Sequence, residues 1–589
     1  MSVRVLGVHT GHNATAALLC DGVIVACVSE ERFTRTKNDS GIPTQSIASV
    51  LAMGGISGPD LDMVAIATRW RAGIFDPHAI QRPTIRTLRT AYEMVGAIRW
   101  RVERTVPPFR MVGRAVEQLA LRAIGGARTR RERIALAELL RVPPRLSTVF
   151  DHHACHAAAA YHGSPYGCGD AVVCTIDGEG DGLSATVNVV RGGRWNRIAA
   201  TSSDASLGWL YREVTGFLGM RRDEHEYKVM GLAPYAKSDA VDALAEQLGR
   251  VLVLDPGHPL RFRSRFDMHH VGRFLRVALR EERFDTIAGA CQRLLEDRIT
   301  AWITAAVHAT GIHTVCIGGG VAMNVKANLA IAELPDVERL WPCPSAGDES
   351  TAIGAAYLGY LARCHELGMD PHPQSLQTLY LGTAVEDGDV EAVLQERSAF
   401  DRYIVTTPSD IEETVAEHLA AGHIVARCVG RMEWGARALG NRSILADPRR
   451  PEVVRVINEQ IKSRDFWMPF APSILAERAT RYLVNPKDIP GSFMAMAFHS
   501  TPLAREHLRA AMHPYDFTIR PQILDETINP DYHRLISAFE RRTGVGAVLN
   551  TSFNLHGEPI VSCPRDALDV FERSGLRFLA LGRHLIAKR

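Results

Sequence analysis

Two histidines four residues apart, His152 and His156, occur in Asp151-His152-His153-Ala154-Cys155-His156-Ala157. On a helix this spacing puts both imidazoles on one face, about 6 Å apart, as when two histidines grip one metal ion. It also suits two buried histidines satisfied by backbone carbonyls. A third ligand must come from elsewhere, and Asp348, in Pro344-Ser345-Ala346-Gly347-Asp348-Glu349-Ser350, is the best candidate. Mixed imidazole and carboxylate ligation suits Fe, Zn or Mn. His153 points away by about 100° and is expected to pack or hydrogen-bond. No Glu follows His152, so this is not a zinc-protease helix.

The elements around this pair repeat. Residues 3–8 form a short apolar run, and 14–20 and 23–29 read as strands joined by Asp21-Gly22, a two-residue hairpin signal. The pattern returns at 172–176, followed by Asp177-Gly178-Glu179-Gly180-Asp181-Gly182, a strand at 183–190, Gly192-Gly193, and a strand at 195–201. Each copy has a Gly-bearing polar turn after its first strand, Gly7 to Asn13 and Asp177 to Gly182, where backbone N–H groups can cradle phosphate. The duplication points to the ATPase fold shared by sugar kinases, Hsp70 and actin. A third turn, Gly318-Gly319-Gly320-Val321-Ala322-Met323-Asn324, joins a strand at 314–317 to a helix, and a second strand at 337–341 leads through Asp348 to a helix at 351–361. Either alone could be a tight βα connection. With the hairpins they predict an adenosine and phosphate site using Gly11, Asp177, Gly178, Gly180, Gly319, Gly320 and Asn324.

The C-terminal half gathers cations. Arg431, Arg437 and Arg442 fall within residues 430–443, which end in Ser443; Lys462 and Arg464 follow, then Pro469-Phe470-Ala471-Pro472-Ser473. Asn550-Thr551-Ser552-Phe553-Asn554 and Gly557-Glu558-Pro559 complete the set. Arg can fork onto phosphate oxygens, and Ser443, Asn550, Thr551, Ser552 and Asn554 can add neutral hydrogen bonds. Together these cations suit a small dianion, although residues 437–442 could by themselves be a salt-bridged helix end.

With these motifs the chain strongly resembles the nodulation and tobramycin O-carbamoyltransferases over nearly its whole length. The resemblance implies an α/β fold: a duplicated actin/Hsp70/sugar-kinase-type ATPase domain at 1–370, with a helical insertion at about 69–145, and a YrdC-like domain at 371–589. It implies that the second domain releases the carbamoyl group of carbamoyl phosphate. The first then joins it to ATP as carbamoyl adenylate and passes it to a hydroxyl of a small natural-product or sugar acceptor. Carbamate is short-lived in water, so enclosing it limits side reactions. It further implies iron(II) at His152, His156 and Asp348, with Mn2+ or Zn2+ also suited, and Mg2+ with ATP. His12 is the candidate general base, and Lys37 and Lys228 neutralise phosphate charge. The chain departs from the family at Ala436, where Pro is usual, at Asp465, where Glu is common, and at Met468, where Arg is frequent. The last removes one possible phosphate contact.

Rival classes remain. A tRNA threonylcarbamoyl-type modifying ATPase lacks this C-terminal half, and a non-catalytic actin- or Hsp70-like switch would not need the histidine pair or the cation motifs. The hydrogenase-maturation carbamoyltransferase carries C-x-x-C repeats that this chain lacks.

The 589 residues are 46% hydrophobic and 23% charged, with a net charge of +2. These globular values exclude a disordered or coiled-coil chain and argue against a dedicated nucleic-acid binder. No apolar run approaches a membrane span, no signal peptide is expected, and eleven cysteines without a C-x-x-C pair read as reduced cytoplasmic thiols. A homodimer is expected. The near-neutral total hides a basic stretch: residues 69–145 hold 17 Arg, no Lys and 6 Asp/Glu, which leaves the remainder at about −9. Ile85, Leu88, Tyr92, Val95, Ile98 and Val102 recur at helical steps, with Arg86, Arg89, Arg101 and Arg104 on the polar faces. Pro107-Pro108, Gly125-Gly126 and Pro143-Pro144 are expected to end successive helices. Such a helical cap could steer anionic ligands or simply present solvated faces.

Overall fold

The computed structural model describes residues 2–69, 109–167, 169–462 and 464–589, with backbone alone for 109–123 and 238. The first expected insertion helix, at 85–102, lies outside them. The chain forms two compact units: Met1–Glu30 with Asn38–Leu376, and Glu31–Lys37 with Gln377–Arg589.

The first unit contains two five-stranded sheets with one topology. In the first, β1 (Arg4–His9), β2 (Thr15–Cys20) and β3 (Val23–Ser29) form an antiparallel meander, and β4 (Met63–Ala67) and β5 (Ser147–Phe150) continue parallel to β1. In the second, β6 (Ala171–Gly180), β7 (Leu183–Arg191) and β8 (Arg194–Ser202) repeat the meander. A ribbon of β9 (Leu252–Asp255) and β10 (His258–Ser264) intervenes, and then β11 (Thr314–Gly318) and β12 (Arg339–Pro342) extend the second sheet in parallel. Asp21-Gly22, Asp181-Gly182 and Gly192-Gly193 all turn with positive φ at both residues; such turns match strand twist.

Helices α1 (Phe109–Leu140), α2 (His152–His162), α3 (Leu207–Phe217), α4 (Val325–Ala332) and α5 (Ser350–Leu367) position the residues of interest. α2 packs on β6 and β11, α5 packs on β1 and β4, and the two helices pack on each other. Their approach is close enough that a Cβ on Gly354 would lie 1.8 Å from the Cys155 carbonyl oxygen. The expected helix break at Gly125-Gly126 does not occur, because both residues lie inside α1. Glycine inside a helix carries a propensity cost of only about 1 kcal/mol each, against a 32-residue run. Among the described residues no helix is long and apolar enough to cross a membrane.

The second unit is built on an eight-stranded mixed sheet. Its order is β13 (Ile404–Thr406), β23 (His584–Ala587), β22 (Phe578–Leu581), β14 (Val425–Cys428), β15 (Arg442–Ala446), β21 (Ala547–Ser552), β16 (Ala471–Leu475) and β20 (Gln522–Leu524). A small sheet of β17 (Leu483–Val484), β18 (Phe498–Ser500) and β19 (Thr518–Ile519) accompanies it. Ile444, Leu549, Phe553 and Phe571 lie in its buried core. Residues 31–37, expected with the N-terminal half, are held in this unit by hydrogen bonds. Arg32 donates to the Gly435 carbonyl at 2.7 Å, and Arg35 donates to the carbonyls of Ile560 and Pro559 at 2.7 and 2.8 Å.

Candidate active site

α2 begins at Asp151, whose carboxylate caps the helix by accepting from the Ala154 N–H at 2.9 Å. One turn of helix then brings His152 Nε2 and His156 Nε2 to 3.0 Å from each other. Asp177 Oδ2 lies 3.1 Å from the first and 3.6 Å from the second, and Asp348 Oδ1 lies at 3.6 and 3.7 Å. One ligand atom from each of these four residues falls within 4.8 Å of the others. The outer nitrogens are held too: His152 Nδ1 is 3.0 Å from Thr68 Oγ1, and His156 Nδ1 is 3.1 Å from Ser350 Oγ. Such contacts orient imidazoles for a metal, so two imidazoles and two carboxylates fit a divalent transition metal. His153 bonds to Thr175 and the Leu183 carbonyl instead, and burial keeps it neutral, its pKa pushed down to about 3.

Asp177 was expected at the nucleotide turn, and its two oxygens divide between tasks. Oδ1 accepts the Gly320 N–H at 3.0 Å while Oδ2 joins the histidines. A bulge causes this, since Ile176 pairs with Ala185 and Gly180 with Leu183, leaving 177–179 out of the ladder. Burial opposes charge on His156, but Asp177 and Asp348 raise its pKa to about 9. The histidines in turn hold both carboxyls below the usual range, against burial. The glycines keep neighbours close: a Cβ on Gly180 would lie 1.9 Å from His152 Cδ2, and one on Gly319 would lie 2.3 Å from the Ile176 carbonyl oxygen.

Other expected residues of this unit are more dispersed. Gly11 lies in the β1–β2 turn, and Gly178 accepts at its carbonyl from Ser206 Oγ at 2.7 Å. Asn324 caps α4 and exchanges hydrogen bonds with Gln292. Lys228 is buried on the helix Glu226–Leu232. His12 has a buried Nδ1 without a hydrogen bond to any described residue. His9, which sequence reasoning passed over, is the histidine at the carboxylates: its Nε2 is 3.5 Å from Asp348 Oδ2 and its Nδ1 2.8 Å from Thr351 Oγ1. Its place on β1, directly before the polar turn, was the available signal.

In the second unit Arg437, Arg464, Asn550, Thr551 and Ser552 line one pocket. Lys462 stands behind it, donating to Ser552 Oγ at 2.9 Å and Asn554 Oδ1 at 3.1 Å. Burial, Arg464 and Lys37 together push the Lys462 pKa well below the ordinary lysine value, so Lys37 bears on this cation cluster. Besides Lys462 and Asn554, three expected residues do not line the pocket. Arg442 is completely buried, and its guanidinium donates to the carbonyls of Ser562, Val429, Gly430 and Thr383. Arg431 donates to Gly382, and Ser443 Oγ accepts from the Gly440 N–H. Their residue types suited phosphate, but the loop's own carbonyl and amide groups have them. Arg520 was missed. It lines the pocket, its Nη1 is shielded without an acceptor, and burial, Arg437 and Arg464 depress its pKa.

Residues 4–357 match the family described as Carbamoyltransferase N-terminus, and residues 416–588 match Carbamoyltransferase C-terminus. The chain belongs to the carbamoyltransferase family. It is 31% identical to an uncharacterised protein, sll1178, of Synechocystis sp., covering 98% of this chain and 95% of that one. It is also 31% identical to Nodulation protein NolNO of Sinorhizobium fredii, over 98% and 79% of the two chains. Nodulation protein NolO of Bradyrhizobium diazoefficiens is 33% identical over 74% and 79%. This carbamoyltransferase therefore carries a His/Asp cluster in its first unit and a cationic pocket in its second.

Proposed function

We propose that this enzyme is an ATP- and carbamoyl-phosphate-dependent O-carbamoyltransferase that forms carbamoyl adenylate and transfers the carbamoyl group to a hydroxyl of a small-molecule acceptor. The observation that carries the reading is the pocket where Arg437, Arg464 and Arg520 converge. A dianion would relieve their repulsion and receive forked hydrogen bonds. Asn550, Thr551 and Ser552, which line the same pocket, would address the uncharged carbamoyl end. In this reading the second unit is YrdC-like and the first an ATPase-type domain.

At the other site His152, His156, Asp177 and Asp348 would hold a divalent metal, which when bound would supply Lewis-acid stabilisation of charge on phosphate or on the attacked carbonyl. Asp177 Oδ1 fixes the Gly320 amide, keeping the Gly turn beside the ligands for the nucleotide. His12 would be the proton acceptor for the attacking hydroxyl, and His9, whose Nε2 lies 3.1 Å from the His12 carbonyl oxygen, would hold that turn beside Asp348. Adenylate is a good leaving group, so the carbamoyl carbon is open to attack once water is excluded.

Carbamoyl-phosphate-dependent exchange of pyrophosphate into ATP tests this directly. A switching ATPase would ignore carbamoyl phosphate. Arg437→Ala should cripple use of carbamoyl phosphate while leaving use of supplied carbamoyl adenylate; equal loss with both donors would contradict the separation of sites.

A further inference from the structure

The bulge at 177–179 delivers a second carboxylate. Glu179 lies two residues beyond Asp177, about 7 Å along the strand, and the next residue, Gly180, packs on the His152 ring. Glu179 is not among the four residues of the metal-binding cluster. Its Oε2 lies 2.8 Å from His269 Nε2, and His269 Nδ1 lies 2.7 Å from Asp267 Oδ1. Ionised carboxylates only accept hydrogen bonds, so an imidazole between two of them must carry both protons. His269 is therefore an imidazolium. It is buried, its side chain 8% exposed, and its ring lies against Trp209, tilted by 55° with 4.8 Å between centroids. Trp209 in turn lies under the Arg212 guanidinium at 4.4 Å. α3, which carries Trp209, starts on the bulge itself: Ser206 Oγ donates to the Gly178 carbonyl.

A buried imidazolium with two carboxylates leaves one net negative charge. Asp267 is nearly buried, at 3% exposed, whereas Glu179 is 18% exposed, and its Oε1 makes no hydrogen bond with any described residue. Here an imidazolium, a second carboxylate and an indole hold one oxygen at a set place, one bulge away from the metal-binding cluster, with a charge that favours a hydrogen-bond donor.

We propose that Glu179, positioned by His269 and Asp267, anchors the acceptor by receiving a hydrogen bond from a hydroxyl or ammonium group that adjoins the hydroxyl being carbamoylated. The proposal rests on the reading that carbamoylation takes place at the His152/His156/Asp177/Asp348 cluster. An acceptor with a lone hydroxyl lacks this bond. An ammonium group gains most, because a hydrogen bond between charged partners contributes more than a neutral one.

The test uses the full enzyme with carbamoyl phosphate, ATP and three ring-matched probes: cyclohexanol, its vicinal diol and its vicinal amino alcohol. Carbamoylated products are quantified in mixtures by mass spectrometry, so each variant reports a ratio from which any general loss of activity cancels. Wild type should favour the amino alcohol over cyclohexanol by about ten- to a hundredfold, with the diol between them. Glu179→Gln should lose most of the ammonium preference, Glu179→Asp should retain part, and His269→Gln should lower the ratio by freeing Glu179. A wild-type enzyme indifferent to the three probes, or an unchanged ratio in Glu179→Gln, overturns the proposal. Should Glu179→Gln not turn over, binding of the amino alcohol by saturation-transfer NMR decides, with unaltered affinity counting against it. Failure of the underlying reading would look different: wild type would release no pyrophosphate from ATP on addition of carbamoyl phosphate.

Discussion

Replacing Arg520 with Met should make the second unit more stable without ligand and less stable with it. The guanidinium lies in a pocket with Arg437 and Arg464, has a shielded Nη1, and makes no hydrogen bond or ion pair with a described residue. Replacing an uncompensated charge of this kind by an apolar side chain stabilises by about 1–4 kcal/mol. Arg520 is only partly buried, which favours the lower end, about 1–2 kcal/mol. In a unit of some 220 residues that is a rise in Tm of about 2–8 °C. Inorganic phosphate reverses the order. At a hundredfold excess over its Kd it should stabilise wild type by about 2.7 kcal/mol, whereas a variant binding ~100-fold more weakly gains only about 0.4 kcal/mol. Scanning calorimetry over a phosphate titration should therefore show the two melting curves crossing. A variant less stable than wild type at every phosphate concentration refutes the reasoning, because Arg520 would then be a structural residue rather than an anion ligand.

Four further outcomes follow from the same contacts. Gly180→Ala should weaken metal binding about 10–100-fold, since the new methyl group meets the His152 ring; an unchanged metal titration argues against His152 as a ligand. His152→Ala should lose bound metal and carbamoyl transfer together, measured by elemental analysis and product formation, and retained metal-dependent turnover removes the site. Lys462 has a folded pKa below its unfolded value, so the unfolded chain holds more protons between the two and phosphate-free stability should rise with pH there. Urea denaturation between neutral pH and about pH 9.5, below the lysine value of roughly 10.4, should show this in wild type and a flatter profile in Lys462→Met. Glu433 Oε1 accepts the N–H groups of Leu439, Asn441 and Arg442 at 2.8, 2.8 and 3.1 Å. Glu433→Gln should cost about 1–2 kcal/mol in urea denaturation.

Local features were legible in the sequence because local rules determine them. Asp21-Gly22 and Gly192-Gly193 turn hairpins through their own backbone preferences, and His152-x-x-x-His156 needs only a helix and its cap. Features that depend on distant chain were not. The bulge that turns Asp177 toward the histidines arises from its pairing with β7. Arg520 joins Arg437 and Arg464 across separations that no periodicity records. Residue type also misleads where burial decides: Arg442 has the chemistry of a phosphate ligand, but backbone carbonyls surround it. Gly125-Gly126 reads as a stop, yet both glycines lie inside a 32-residue helix.

Residues 31–37 belong to the second unit, tied through Arg32 and Arg35 to Gly435, Pro559 and Ile560. During synthesis this segment leaves the ribosome more than 500 residues ahead of Pro559. At about 5–20 residues per second it must wait on the order of half a minute to two minutes for its partners. The second unit cannot close before the last part of the chain is made, while the cationic Lys37 segment stays exposed. A gene cut between the two halves would separate these partners, so a C-terminal fragment beginning at Gln377 should recover its native stability only when a peptide spanning 31–37 is added back.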